Sequence, residues 1–139
     1  MSRITTHEIF EQLSRRHAGD ASQTIELVDG SNPAINLTLH DQGDMEIQIA
    51  AAGDQVFIST VLAPAELVKD RHAFNEVCMR LNPQYPLSNM GITQLDGRDI
   101  YIVFGQLSST STVDQIDEEI AALSENTIAA AESLEPYFN

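Results

Sequence analysis

The chain has 139 residues, the size of one ordinary domain, and 42% of them are hydrophobic. Its formal net charge is −14, from 21 acidic residues against 7 Lys and Arg. Such a surface repels phosphate backbones and anionic lipid headgroups, so direct binding to nucleic acid or to anionic membranes is disfavoured. The acidity leaves two interpretations open, which are solubility and attraction to a basic protein partner. We predict a single domain over residues 1–139.

The sequence also limits the compartment. The N-terminal stretch "MSRITTHEIF" lacks the long apolar segment of a secretory signal. No stretch approaches the run of about 18 apolar residues that spans a bilayer. The single cysteine, Cys78, excludes an intramolecular disulfide, which fits a reducing environment. We therefore expect a cytoplasmic protein without direct membrane insertion.

The first predicted element is a helix from about Thr6 to Arg16. Thr5 and Glu8 have the spacing of a capping box, and Arg15 and Arg16 suit the negative end of the helix dipole. The next predicted strands are the short segment "TIELV", which turn residues close, and then "AINLTLH" and "DMEIQIA", in which apolar residues alternate with polar ones. The almost continuous apolar run "VFISTVL" predicts a central strand that is buried on both faces.

A second helix begins between Ala65 and Asp70 and ends at Leu81. Its buried face is predicted from the helical spacing of Phe74, Val77, Cys78 and Leu81. A hairpin follows, in which Asp96-Gly97 connects "MGITQL" to "DIYIVFG". The resulting order, α-β-(β)-β-β-α-β-β-α, predicts an α+β fold with a mainly antiparallel sheet.

The last helix is predicted from Thr112 to Glu135 and carries many acidic residues but no basic residue. We expect its first half, Val113 to Leu123, to pack on the sheet of the same chain. Its second half, Thr127 to Leu134, is rich in alanine and would permit the close approach of another helix, including that of a second copy. The residues predicted to bind a partner are Asp117, Glu118, Glu125, Ala130 and Glu132.

Residue types that carry chemistry are present but are not arranged as known motifs. The four histidines are scattered along the chain, so the spacing of a zinc site is absent and no metal is predicted. No glycine-rich phosphate loop or nucleophile elbow is present, so no cofactor is predicted. Cys78 lies on the apolar face of its helix, where a small buried side chain is expected rather than a nucleophile. We predict no catalytic residues and a protein that is not an enzyme.

Three segments resemble a known family. They are "STVLAPAELVKDRHAFNEV", "YPLSNMGI" and "GRDIYIVFGQLSSTSTVDQIDEEIAALSENTIAAAESLEPY". Together they resemble the small uncharacterised bacterial family typified by YjfI, and the most specific part runs from Pro86 to Ser108. The element order is also similar to that of type III secretion chaperones and YbjN-like proteins, which are small, acidic, cytoplasmic, non-catalytic and usually dimeric.

The resemblance has functional implications. It supplies no catalytic residues, and members are often encoded near phage-shock-protein-A-like membrane-remodelling proteins, which implies a role in envelope stress. The first hypothesis is therefore a non-enzymatic adaptor or chaperone-like protein that binds a basic or helical protein partner. The alternative is a small-ligand binder or enzyme with a scattered polar site. Its candidate residues are Tyr85, Ser88, Asn89, Arg98, Asp99 and Tyr101.

Overall fold

The computed structural model describes residues 2–139. It contains three α-helices and six β-strands within these residues. In chain order they are α1 Thr6–Arg16, β1 Gln23–Val28, β2 Ala34–Leu39, β3 Met45–Ala52, β4 Gln55–Pro64, α2 Arg71–Leu81, β5 Asn89–Leu95, β6 Arg98–Ser108 and α3 Val113–Leu134. The predicted α+β class and element order are confirmed, and the strand predicted at "TIELV" is β1.

The six strands form one sheet in the order β1-β2-β3-β4-β6-β5, and every neighbouring pair is antiparallel. Consecutive strands pair as hairpins up to β4. The chain then passes through α2, and β6 rather than β5 lies beside β4. This crossover leaves β5 at one edge of the sheet and β1 at the other.

One face of the sheet carries all three helices. Alternate strand residues point toward the helices, and Ile35, Ile47, Ile49, Val56 and Ile58 have no exposed surface. Apolar residues of α1, α2 and α3 complete the same core. Burial of these side chains away from water is the main favourable contribution to folding.

The opposite face of the sheet is open, which corrects one prediction. β4 is central, since it pairs with β3 and β6, but only one of its faces is covered. Val61 on the open face is 51% exposed. The prediction of burial on both faces was wrong because an antiparallel sheet can leave one face to solvent even where that face has apolar side chains.

The helix α1 is fixed at both ends. Its capping box is formed, since the Thr5 hydroxyl accepts from the Glu8 backbone and the Glu8 carboxylate accepts from the Thr5 backbone. At its other end, Arg16 binds Asp114 and lies 3.1 Å from Asp117 of α3. The hydrogen bonds that Arg16 donates to these two carboxylates raise the pKa of its guanidinium group. α1 and α3 are therefore joined by polar contacts at the surface as well as by the core.

The helix α3 packs into the core of its own chain with both of its halves. Ile116 and Leu123 are fully buried, as predicted for its first half. Ala130 and Leu134 in the second half are also fully buried in the core of the same chain. The prediction that Ala130 contacts another helix is therefore wrong. Small side chains in this half allow α3 to approach the core of its own chain closely. The positions of small residues in the sequence do not show whether they contact the same chain or a partner.

Candidate functional site

The six polar residues of the alternative hypothesis do not form one pocket. Arg98 and Asp99 lie at the β5–β6 hairpin, where Asp99 is 3.1 Å from Arg71. Tyr101 is buried beneath α2, and its hydroxyl donates to Asn75. The other three line a separate cleft of about 340 Å³. They are Tyr85, Ser88 and Asn89. An active site built from all six residues is therefore not assembled.

The cleft beside Ser88 contains a buried acid that the sequence prediction missed. Glu119 of α3 is 4% exposed and lines this cleft. Its carboxylate lies over Gly105 of β6, where a methyl group would overlap it. The same methyl group would lie 3.1 Å from the backbone oxygen of Leu87. Gly105 therefore provides the space that the Glu119 side chain occupies.

Asn126 attaches the loop of this cleft to α3. Its side-chain amide donates to the backbone oxygen of Pro86 at 2.8 Å and to the Ser88 hydroxyl at 3.0 Å. Ser88 itself is 4% exposed. Leu87, which lies between Pro86 and Ser88 in the chain, has a positive φ of 68°, which is uncommon for a residue other than glycine. Ser88 thus helps to hold a constrained loop against α3.

Burial raises the pKa of the Glu119 carboxyl above its ordinary value of 4.5, and the nearby charge of Glu118 raises it further. The folded chain therefore keeps this proton to a higher pH than the unfolded chain does. Ionisation of Glu119 consequently costs stability as the pH rises above 4.5, and this cost is absent at lower pH.

We expect Glu119→Gln to stabilise the fold at pH 8 and to have little effect at pH 4, because glutamine resembles the protonated acid. Urea unfolding at both pH values measures this difference. Glu125→Gln on the exposed face of α3 is the matched control, since it removes the same charge without burial. Equal effects of the two substitutions at pH 8 would contradict a buried, destabilising carboxylate.

The outer face of α3 contains most of the residues predicted to bind a partner. Glu118, Glu125 and Glu132 are exposed, and none of them forms an ion pair among the residues the structure describes. Their seven-residue spacing places them in one stripe about 21 Å long at 1.5 Å per residue. Asp117 differs from them, because it lies 3.1 Å from Arg16 and 3.0 Å from His17. Asp117 therefore joins α3 to α1 within the chain.

The described residues also show whether a metal site, a reactive cysteine or a membrane-spanning helix is present among them. Among residues 2–139, no group of three or more His, Cys, Asp and Glu side chains could hold a metal ion. Cys78 is 6% exposed, as predicted, and burial raises its pKa to about 11. A thiol with this pKa is almost entirely protonated at neutral pH, which disfavours a role as nucleophile. None of the helices in this part of the chain is long and apolar enough to cross a membrane.

Comparison with solved structures identifies the fold. The chain is similar to a chain of the HopA1–SchA chaperone–effector complex, with a TM-score of 0.65, 15% identity and coverage of 91% of this chain and 92% of that one. It is also similar to YbjN of E. coli, with a TM-score of 0.66, 12% identity and 96% coverage of both chains. The predicted fold is thus confirmed as that of the type III secretion chaperones and YbjN.

Sequence comparison identifies the family. The model of DUF2170, described as an uncharacterised protein conserved in bacteria, matches residues 3–138. The protein YjfI of E. coli K12 is 33% identical over 115 residues, which cover 83% of this chain and 86% of that protein. YjfI of E. coli O157:H7 matches to the same extent. The chain belongs to this family, as its sequence motifs predicted.

Proposed function

We propose that this chain is a non-enzymatic adaptor or chaperone-like protein that binds another protein through the outer face of α3. The observation that carries the proposal is the exposed stripe of Glu118, Glu125 and Glu132 on a helix whose other face is fixed in the core. A rigid helix has its backbone already ordered, so only the side chains that carry these charges lose freedom on binding. The chaperone–effector complex among the solved neighbours supports protein binding as the type of function.

The spacing of the charges in this stripe indicates the kind of partner that fits it. Charges separated by about 10.5 Å along a helix match Lys or Arg residues at seven-residue intervals on a second helix. Ile128, which is 40% exposed, lies between Glu125 and Glu132 and would add an apolar contact. We therefore propose a basic, helical partner. A phage-shock-protein-A-like membrane-remodelling protein in the cytoplasm is our specific proposal, because the family resemblance implies a role beside such proteins in envelope stress.

The alternative function, a small-ligand binder or enzyme, has one supporting observation. Tyr85, Ser88 and Asn89 share a cleft with Glu119, whose pKa is raised. Arg98 and Tyr101 lie elsewhere in the structure. Since Ser88 is bound to Asn126, we favour a structural role for this cleft and place the protein-binding function first.

The triple substitution Glu118→Gln, Glu125→Gln and Glu132→Gln is expected to abolish capture of the partner from native lysate at low salt. Wild-type capture should weaken at high salt, because ions screen contacts between exposed charges. The matched control neutralises three acidic residues outside α3, namely Glu26, Asp41 and Glu46, which are exposed. If both triple variants capture the same proteins as the wild type, α3 is not the binding surface.

A further inference from the structure

The buried acid Glu119 lacks the partner that such a group normally has. It is the one acid of residues 2–139 whose side chain is buried. Only burial and the charge of Glu118 shift its pKa, and both raise it, whereas a hydrogen-bond donor or a cation beside the carboxylate would lower it. A buried charge is costly unless it is paired, so proteins ordinarily pair such groups. The Glu119 carboxylate is therefore free to accept a donor from outside the chain.

The carboxylate faces the cleft beside Ser88 and is not sealed in the core. Among the described residues, Gln42 Oε1 is the only completely buried side-chain oxygen or nitrogen without a hydrogen-bond partner. The Glu119 oxygens, which also lack a partner, therefore keep some contact with solvent. This contact occurs in the cleft of about 340 Å³ that Glu119 lines. A group that enters the cleft can thus reach the carboxylate.

The cleft lies where β5 begins. β5 pairs with β6 only as far as Asn89, which lies opposite Phe104. β6 continues to Ser108 and stays paired with β4 on its other side. The loop before β5 and the helix α3 line the cleft together with this last part of β6. The hydrogen bond from Asn126 to Ser88 holds the loop against α3, so the structural role of Ser88 gives the cleft its shape.

A second oxygen acceptor lies beside the carboxylate. The Leu87 carbonyl oxygen and a Glu119 carboxylate oxygen are both within 3.1 Å of the point above Gly105 that a methyl group would occupy. No backbone donor to the Leu87 oxygen occurs among the described residues, and Asn126 donates to the oxygen of Pro86 instead. Two neighbouring oxygens without donors favour a cationic donor between them. An ammonium group has three N–H donors and can serve both oxygens.

The rest of the lining favours an organic cation. No Lys, Arg or His is among the residues that line the cleft. A metal ion is disfavoured, because no group of three or more possible ligands occurs within residues 2–139. Pro83, Leu87 and Leu107 give the cleft apolar walls. Such walls suit the methylene stem of an amine, whose charged end then lies at the acid.

From these observations we infer that the cleft binds a primary ammonium group on an apolar stem, with Glu119 as its counter-ion, and that a lysine side chain of the protein partner supplies this group. The second part rests on the proposed function. Glu119 follows Glu118 directly in α3, so the cleft adjoins the first charge of the acidic stripe. A basic partner that lies along the stripe can place one lysine in the cleft. The exposed stripe then attracts the partner, and the cleft fixes its position.

Titration with n-butylammonium chloride at pH 8 tests the cleft without a partner. We expect the amide resonances of Ser88, Gly105 and Glu119 in the ¹H–¹⁵N NMR spectrum of the full chain to shift, with a Kd on the order of 1–10 mM. Sodium chloride at equal ionic strength and 1-butanol, which has the same stem without the charge, should not shift them. If n-butylammonium shifts them no more than these controls do, the inference is overturned, while the proposed binding surface on α3 is unaffected.

Two variants test the role of Glu119. Glu119→Gln removes the charge and keeps the shape, so n-butylammonium should bind at least about thirtyfold more weakly. Glu125→Gln removes an exposed charge of the same helix and should bind n-butylammonium as the wild type does. Equal affinity of the two variants, whether weak or strong, would overturn the assignment to Glu119.

Capture from native lysate at low salt distinguishes a lysine of the partner from a free amine. Glu119→Gln should lose the proteins that the wild type captures, and Glu26→Gln on β1 is the matched exposed control that should keep them. If n-butylammonium binds but Glu119→Gln captures the same proteins as the wild type, the lysine is overturned and a free small amine is the source of the ammonium group. Capture that depends on Glu119 but survives the triple substitution in the stripe would overturn the stripe and leave the cleft.

Discussion

Ile116→Asp is expected to destabilise the fold strongly. Ile116 lies near the start of α3, and its side chain has no exposed surface and belongs to the hydrophobic core. An aspartate there would be an unpaired charge in an apolar environment, with a cost of at least about 4 kcal/mol. Since domains of this size are stable by roughly 5–15 kcal/mol, this loss removes most of the stability of a domain near the lower end of that range. Circular dichroism and urea unfolding measure the change.

The same helix offers a matched control for this substitution. Ile128 is 40% exposed on the outer side of α3, so Ile128→Asp introduces the same side chain into solvent. We expect a change in unfolding free energy within about 1 kcal/mol. If both variants are folded and equally stable, α3 does not pack on the sheet through Ile116.

Gly105→Ala is expected to destabilise the fold by about 1–3 kcal/mol, which is the usual cost of inserting a group into a filled site. The added methyl group would overlap a carboxylate oxygen of Glu119 and lie 2.9 Å from its carboxyl carbon. The β6 backbone or the Glu119 side chain must then move. Urea unfolding at neutral pH measures the loss of stability.

A second substitution distinguishes this overlap from a general effect on β6. Glu119→Ala removes the overlapping carboxylate, so the double variant with Gly105→Ala should be more stable than the sum of the two single effects predicts. The coupling between the two positions in a double-mutant cycle should exceed about 0.5 kcal/mol. Additive effects would show that Glu119 does not occupy the space above Gly105.

Local patterns predicted the secondary structure well. The spacing of Thr5 and Glu8 indicated the start of α1, and the capping box is formed. Asp96 and Gly97 indicated the turn between β5 and β6, and both have positive φ there. These predictions depend on neighbours within about four residues, where the chain geometry alone determines which groups can meet.

The candidate surfaces were harder to predict. The apolar spacing of Ile116, Ile120 and Leu123 indicated the buried face of α3, and Glu119 lies within the same face. An acid on an apolar face and a glycine inside a strand are both signals of close approach, but only folding shows that Gly105 lies under Glu119. The proposed partner role of Ala130 was wrong for a related reason, because a small side chain permits close packing without specifying what packs there.

The α+β class, the element order, the acidic charge and the family motifs could all be read from the amino-acid sequence alone. These follow from local periodicity, composition and residue identity. The three-dimensional fold was needed to show that β5 lies at the edge of the sheet, that one face of the sheet is open, and that Asp117 pairs with α1 while Glu118 does not. The physical reason is that strand order and helix docking depend on contacts between distant residues, whose combined burial and hydrogen bonding no short stretch of sequence contains.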